Sequence, residues 1–188
     1  MKIISWVLLA VVLFPVAALA FFKPSRVVAP EAFGARCPVP TICVDDVGKY
    51  AEAAELYRTS RAYLETRWGL AVGEPRIIFC ATETCGQRFG VGRRAAYTAG
   101  TLAIVVSPRG WKDFYLEHEL IHYWQAVHFG NLVLLNGKEW LIEGMAYALS
   151  NDTRDPLTQP FEGYRQTFKQ WRERNSGKPL LQAVGEEL

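Results

Sequence analysis

The chain has 188 residues, half of them apolar, which is enough for one sizeable core and makes one compact domain the default. Its 21 basic and 19 acidic residues leave a formal charge of +2. They are spread along the chain with no block of one sign, which speaks against nucleic acid or an anionic membrane surface as a partner held by charge.

The first residues, "MKIISWVLLAVVLFPVAALAFFKPSR", place a lone Lys2 before an apolar run over 3–22 whose one clearly polar residue is Ser5. This is the pattern of an export signal. Pro15 precedes Ala-Leu-Ala at 18–20, a small-x-small cleavage site that would make Phe21 the mature N-terminus. The run is also about 20 residues long, enough to remain as a membrane anchor with the rest of the chain outside. Signal peptide and signal anchor therefore both stand for residues 1–22, and either places the chain outside the inner membrane, in a bacterial periplasm or beyond it.

Residues 23–44, rich in proline and small residues without sustained periodicity, read as a linker or N-terminal arm before a domain over 45–188. Four cysteines form two close pairs, Cys37 with Cys43 and Cys80 with Cys85. An exported chain meets an oxidising compartment, so two disulfides are expected. Of the three possible connectivities, 37–43 and 80–85 close the shortest loops. A four-cysteine zinc knot fits less well, because neither pair has the two-residue spacing of such knots.

Apolar residues at steps of three and four, among them Tyr50, Ala54, Tyr57, Leu64 and Trp68, predict a helix over 45–68 that stops at Gly69, with Asp45 or Asp46 as cap. "PRIIFC" and "GTLAIVVS" are strand candidates, and the glycine-punctuated stretch between them is a loop or hairpin. Ser107 and Pro108 then introduce a helix over 111–129. "GNLVLLNG" leads to a second helix over 138–150, with Asn136 as cap and Glu139 in a capping box. After Asp155, Pro156 and Pro160, a last helix carries Phe161, Tyr164, Phe168 and Trp171 as an aromatic stripe suited to core packing.

In the middle of the 111–129 helix stands "HELIH". His118 and His122 are about 400° apart on a helix, or about 40° after a full turn, so both imidazoles leave one face and can meet one ion. Neutral imidazole is a preferred zinc ligand. Glu119 lies about 100° around from His118. There it can act as general base on water activated by the ion.

Two residues compete to be the third ligand. His128 stands ten after His118, the spacing of the metzincin motif H-E-x-x-H-x-x-G-x-x-H. On an unbroken helix, however, it lies about 240° away from His122, and the glycine that would turn the chain is replaced by Gln125. Glu143 stands 21 residues after His122 on the second helix, which a short connection can return antiparallel to the first. Its carboxylate would complete a His-His-Glu set with an open position, as a catalytic zinc requires. Gly144 and Ala146 would let the two helices approach closely, and the apolar neighbours of Glu143 weigh against a solvated glutamate.

H-E-x-x-H followed by a downstream W-x-x-E-G-x-A helix resembles the gluzincins, the thermolysin-like zinc metallopeptidases, and especially their small single-domain minigluzincin members. The resemblance covers about residues 100–150. It implies an α+β, zincin-like single domain in which a small sheet packs on the HExxH helix with further helices. It also implies Zn2+ held by His118, His122 and Glu143, with Glu119 as general base, and a peptide or protein substrate paired to the strand "TLAIVV" at the lip of the cleft. The chain departs from thermolysin in two places. Tyr147 stands where an acidic residue supports a histidine, leaving Asp152 as a substitute, and no histidine follows His128 to stabilise an oxyanion. Tyr147 is then the first candidate for that role, before Tyr164 and Tyr97. The expected function is an exported zinc metallopeptidase. The alternatives are a catalytically silent, membrane-tethered peptide-binding scaffold, a metzincin-like protease with His128 as ligand, and an envelope protein with a structural zinc.

Overall fold

The computed structural model describes residues 22–188 as a mixed α+β fold. The signal or anchor segment thus lies almost wholly outside the described residues, among which no helix is long and apolar enough to cross a membrane. Five short strands, β1 (Arg36–Val39), β2 (Ile42–Val44), β3 (Ile77–Phe79), β4 (Ala96–Thr98) and β5 (Ile104–Val106), form one sheet in the order β1-β2-β3-β5-β4. β2, β3 and β5 run parallel, and the outer strands β1 and β4 are antiparallel to their neighbours.

The three inner strands are continuous apolar runs because both faces of the sheet are covered. Ile77, Phe79, Ile104 and Val106 face a large helical layer; Ile78 and Val105 face a smaller layer with Val27, Phe89 and the cysteines Cys43, Cys80 and Cys85. The helical layer holds α1 (Tyr50–Trp68), α3 (Asp113–Phe129), α5 (Glu139–Leu149), α6 (Phe161–Arg174) and α7 (Leu180–Glu187). Two short helices, α2 (Glu83–Arg88) and α4 (Val133–Asn136), occupy connections.

Residues 23–44, expected as a linker or arm, contribute β1 and β2 and two 3-10 turns, so they belong to the sheet. Prolines at 38 and 40 interrupt the apolar pattern there and hide these strands. The disulfides pair Cys37 with Cys43 and Cys80 with Cys85, which fits an oxidising, exported environment and removes the four-cysteine zinc knot. "TLAIVV" is likewise displaced as the lip strand. β5 is enclosed between β3 and β4, and β4, from the segment read as loop or hairpin, is the edge strand at this end of the sheet.

Helix starts depart from the expected caps. Asp46 caps a 3-10 turn at Val47–Lys49, accepting from Gly48 N at 2.9 Å, so α1 begins at Tyr50. Asp45 instead accepts from Ala81 N at 2.6 Å and Thr82 Oγ1 at 2.6 Å. Asn136 closes α4 rather than capping α5, whose first turn has no side-chain cap. Gly69 ends α1 with φ 66°, a conformation that suits glycine. In the aromatic stripe of α6, Phe168 and Trp171 are buried as core.

Candidate metal centre

α3 runs unbroken from Asp113 to Phe129 beneath the sheet. Leu116, Leu120 and Ile121 are fully buried on its core face, each contributing about 1.5–3 kcal/mol of hydrophobic stabilisation. His118 and His122 leave the side turned toward α5. Their Nε2 atoms are 3.0 Å apart. From α5, Glu143 brings one carboxylate oxygen to 3.4 Å from His118 Nε2 and the other to 3.4 Å from His122 Nε2.

Among the described residues, this is the one group of histidine, cysteine and acidic side chains placed to hold a metal ion. The spacing suits a tetrahedral set, in which bonds of about 2.0–2.1 Å leave donor atoms about 3.3 Å apart. Two imidazole nitrogens and one carboxylate leave a fourth position open. Burial opposes protonation of His122, but the hydrogen bond and charge of Glu143, with further help from Glu119, push its pKa up to about 9 in the ion-free protein. Burial likewise works against ionising Glu143, yet His118 and His122 together hold its carboxyl well below the usual range. The cluster is a carboxylate facing cation-accepting nitrogens.

Two buried polar ties clasp α3 to α5 on either side of the triad. Gln125 Oε1 lies 2.8 Å from His122 Nδ1, and Gln125 Nε2 donates to the carbonyl of Ile142 at 3.1 Å. The amide oxygen can only accept, so Nδ1 carries the hydrogen, and in the neutral ring that a metal requires the lone pair of Nε2 faces the triad. At the other end, Glu117 accepts from Asn151 N at 2.6 Å, and its burial pushes its pKa up to about 7. Sequence reasoning treated Gln125 only as the absence of a glycine. Its signal was the three-residue step from His122, which puts both on one face.

Glu119 lies beside the ligands and lines the same cleft. Thr98 on β4 holds it, its hydroxyl 2.7 Å from Glu119 Oε2 and 2.9 Å from the Glu119 carbonyl. Nothing near Thr98 in sequence marks it for this contact. The cleft has a volume of about 610 Å³, with β4 along one wall.

The remaining candidates fall elsewhere. His128 is exposed and stacks on Trp124 at 4.6 Å; the helix continues past Gln125, so the turn that would bring His128 to the triad is not made. Asp152 pairs with Arg154 at 2.5 Å rather than supporting a histidine. Tyr97 donates its hydroxyl to the Phe89 carbonyl at 2.7 Å, and Tyr164 donates to Glu139. Tyr147 does line the cleft, its ring 4.4 Å from that of His118. Burial first, and then the charge of Glu143, push its pKa up to about 12, so it remains a hydrogen-bond donor. Gly144 serves a different contact from the expected one. A methyl group there would lie 2.4 Å from the Tyr164 carbonyl oxygen, so its smallness admits α6, not α3.

No family model, curated protein or solved structure matches this chain, so its place rests on the fold and on the convergence of His118, His122 and Glu143.

Proposed function

We propose that this protein is an exported zinc-dependent metallopeptidase of the gluzincin kind, on a zincin-like domain, hydrolysing peptide or amide bonds in the periplasm. The observation that carries this reading is the convergence of two imidazole nitrogens and a carboxylate, all within 4.8 Å of one another, beside a glutamate that is not among the ligands. His118, His122 and Glu143 would hold the ion. When bound, zinc supplies Lewis-acid polarisation of a carbonyl and lowers the pKa of water toward about 7. Glu119 takes a proton from the attacking water and returns it to the leaving amine, with Thr98 fixing the carboxylate in place. Tyr147 donates to the carbonyl oxygen as negative charge develops there. Gln125 holds His122 in the tautomer that leaves Nε2 unprotonated. The outer edge of β4 offers backbone groups to an extended peptide. A silent scaffold would need the ligands but not Glu119.

The test is zinc content together with hydrolysis of a quenched peptide library, for wild type, Glu143→Ala, Glu119→Gln and His128→Ala. Wild type and His128→Ala should hold one zinc and cleave, Glu143→Ala should lose the metal, and Glu119→Gln should keep it while turnover falls at least about a hundredfold. Zinc retained by Glu143→Ala, or turnover undiminished in Glu119→Gln, would sink the proposal.

A further inference from the structure

The cleft is not uniform along its length. Leu134 and Leu135 line it where α3 gives way to α4, while Arg93, Arg94, Arg109 and Arg154 also reach into its lining. Three contacts gather these arginines toward the opposite end, at the first turn of α3. Ser107 Oγ donates to the Arg94 carbonyl at 3.1 Å. Gly110, next to Arg109, passes so near Ala95 that a methyl group on it would lie 2.2 Å from the Ala95 carbonyl oxygen. The guanidinium of Arg154 lies 5.0 Å from the ring centroids of both Phe114 and Tyr115. Phe114 is one helical turn, about 6 Å, before His118. The triad therefore stands between a basic end and an apolar end.

The basic end is largely uncompensated. Among the described residues, Arg154 alone of the four takes part in an ion pair, with Asp152. Arg94 donates to the carbonyls of Val91 and Gly90, each at 3.3 Å, which leaves its charge uncancelled. Arg93 and Arg109 are exposed at the rim. Among the described residues, the carboxylates lining the cleft are Glu119 and Glu143, one held by Thr98 and the other by the two histidines. The whole chain has a formal charge of only +2, so this concentration is local. Like charges around a concave site focus the field on whatever enters it. Guanidinium groups match carboxylates in shape as well as charge.

We propose, building on the peptidase reading above, that the site selects peptides with carboxylate side chains on one side of the scissile bond and an apolar residue on the other. The substrate class is then acidic peptide rather than peptide in general, and Arg93 and Arg109 are the main selectors.

The test uses quenched eight-residue peptides of alanine and leucine, with two glutamates placed before or after the central bond, and their glutamine counterparts. Zinc-loaded wild type should cleave the glutamate peptide with a kcat/KM about tenfold or more above its glutamine partner when the pair lies on one side, and near parity on the other. The preference should shrink as salt is raised, because exposed charges are screened. In Arg93→Ser/Arg109→Ser, with folding checked by circular dichroism, the ratio should fall toward one. Equal cleavage of both peptides by wild type, or a preference that the double variant retains, overturns the assignment and leaves the peptidase intact. Binding of the same peptides to zinc-loaded Glu119→Gln, read by fluorescence anisotropy, separates the two ideas. Selective binding without wild-type turnover would keep the ligand class and remove the peptidase; neither binding preference nor turnover would remove both.

Discussion

His118, His122 and Glu143 stand on two long helices clasped at both ends by buried polar ties, whereas Arg93, Arg109 and Arg154 reach the same cleft from connecting segments at its exposed edge. The first group is held by structure that cannot move without disturbing the core. The second is held by contacts that water can replace. Groups needed for chemistry must keep fixed distances, and rigid elements provide that. Groups that choose among substrates can sit on loops, where substitution costs little stability.

The largest expected effect breaks the rigid side. Gln125→Leu keeps a similar volume but leaves His122 Nδ1 without its acceptor and withdraws the donor from the Ile142 carbonyl. Stability should fall by about 1–3 kcal/mol, the cost of unsatisfied buried polar groups. Zinc affinity should fall about 10- to 100-fold, as on loss of a supporting hydrogen bond. Competition with a chelator reads the affinity and thermal unfolding reads the stability. Unchanged affinity would mean that Gln125 only packs.

Gly144→Ala comes next and tests whether the ligand helix is as tightly seated as its neighbours imply. Replacing a helical glycine would by itself stabilise by about 1 kcal/mol. Here the added methyl would meet a backbone carbonyl at 2.4 Å, and a carbonyl cannot swing aside as a side-chain tip can. Overpacking, at about 1–3 kcal/mol, should win, so the melting temperature should drop and zinc affinity with it. A rise in melting temperature would show that α6 yields readily.

The smallest effect sharpens the exposed side. Glu162 accepts from Leu157 N at 3.0 Å and pairs with Arg165 at 2.5 Å, while Arg165 donates to the Arg154 carbonyl at 3.0 Å. These bonds tie down the segment that carries Arg154. Hydrogen bonds from Gln166 and Leu157 N, with the Arg165 pair, bring the Glu162 pKa down to about 2. A depressed carboxyl stabilises the fold above its ordinary pKa, and that contribution fades as pH falls from about 4.5 through about 2. Glu162→Gln should lower stability at pH 7, where that contribution is fully present, and flatten the acid side of the profile, so that variant and wild type converge as pH falls through the window. Acid titration followed by circular dichroism checks it; identical profiles would show that the segment is held by other contacts.

The same contrast separates what was legible beforehand from what was not. His118 and His122 are spaced by a helical repeat that survives in the sequence, so their shared face could be placed by counting turns, whereas Glu143, on another helix, could only be offered as a candidate. Gln125 was equally countable, but it was weighed for the glycine it replaces and not for the ligand three residues earlier. Thr98 and the arginines carry no periodic signal, since they meet the site through sheet pairing and loop packing. β3 and β5 were legible because each lies in a longer apolar, β-branched run, whereas the prolines at 38 and 40 break up β1 and β2 and the glycines at 90, 92 and 100 surround β4, so these were missed or left open.

By itself, the sequence favoured the two short-loop disulfide pairs and determined the helices that carry the candidate ligands and the same-face placement of His118 and His122, because each follows from distances of a few residues along the chain. Tertiary structure decided that Glu143 meets both histidines while His128 does not, that β4 is the edge strand beside Glu119, and that four arginines share one cleft. These depend on how helices and strands far apart in sequence pack against one another. Local periodicity orients a side chain about its own element; only the core sets which element it faces.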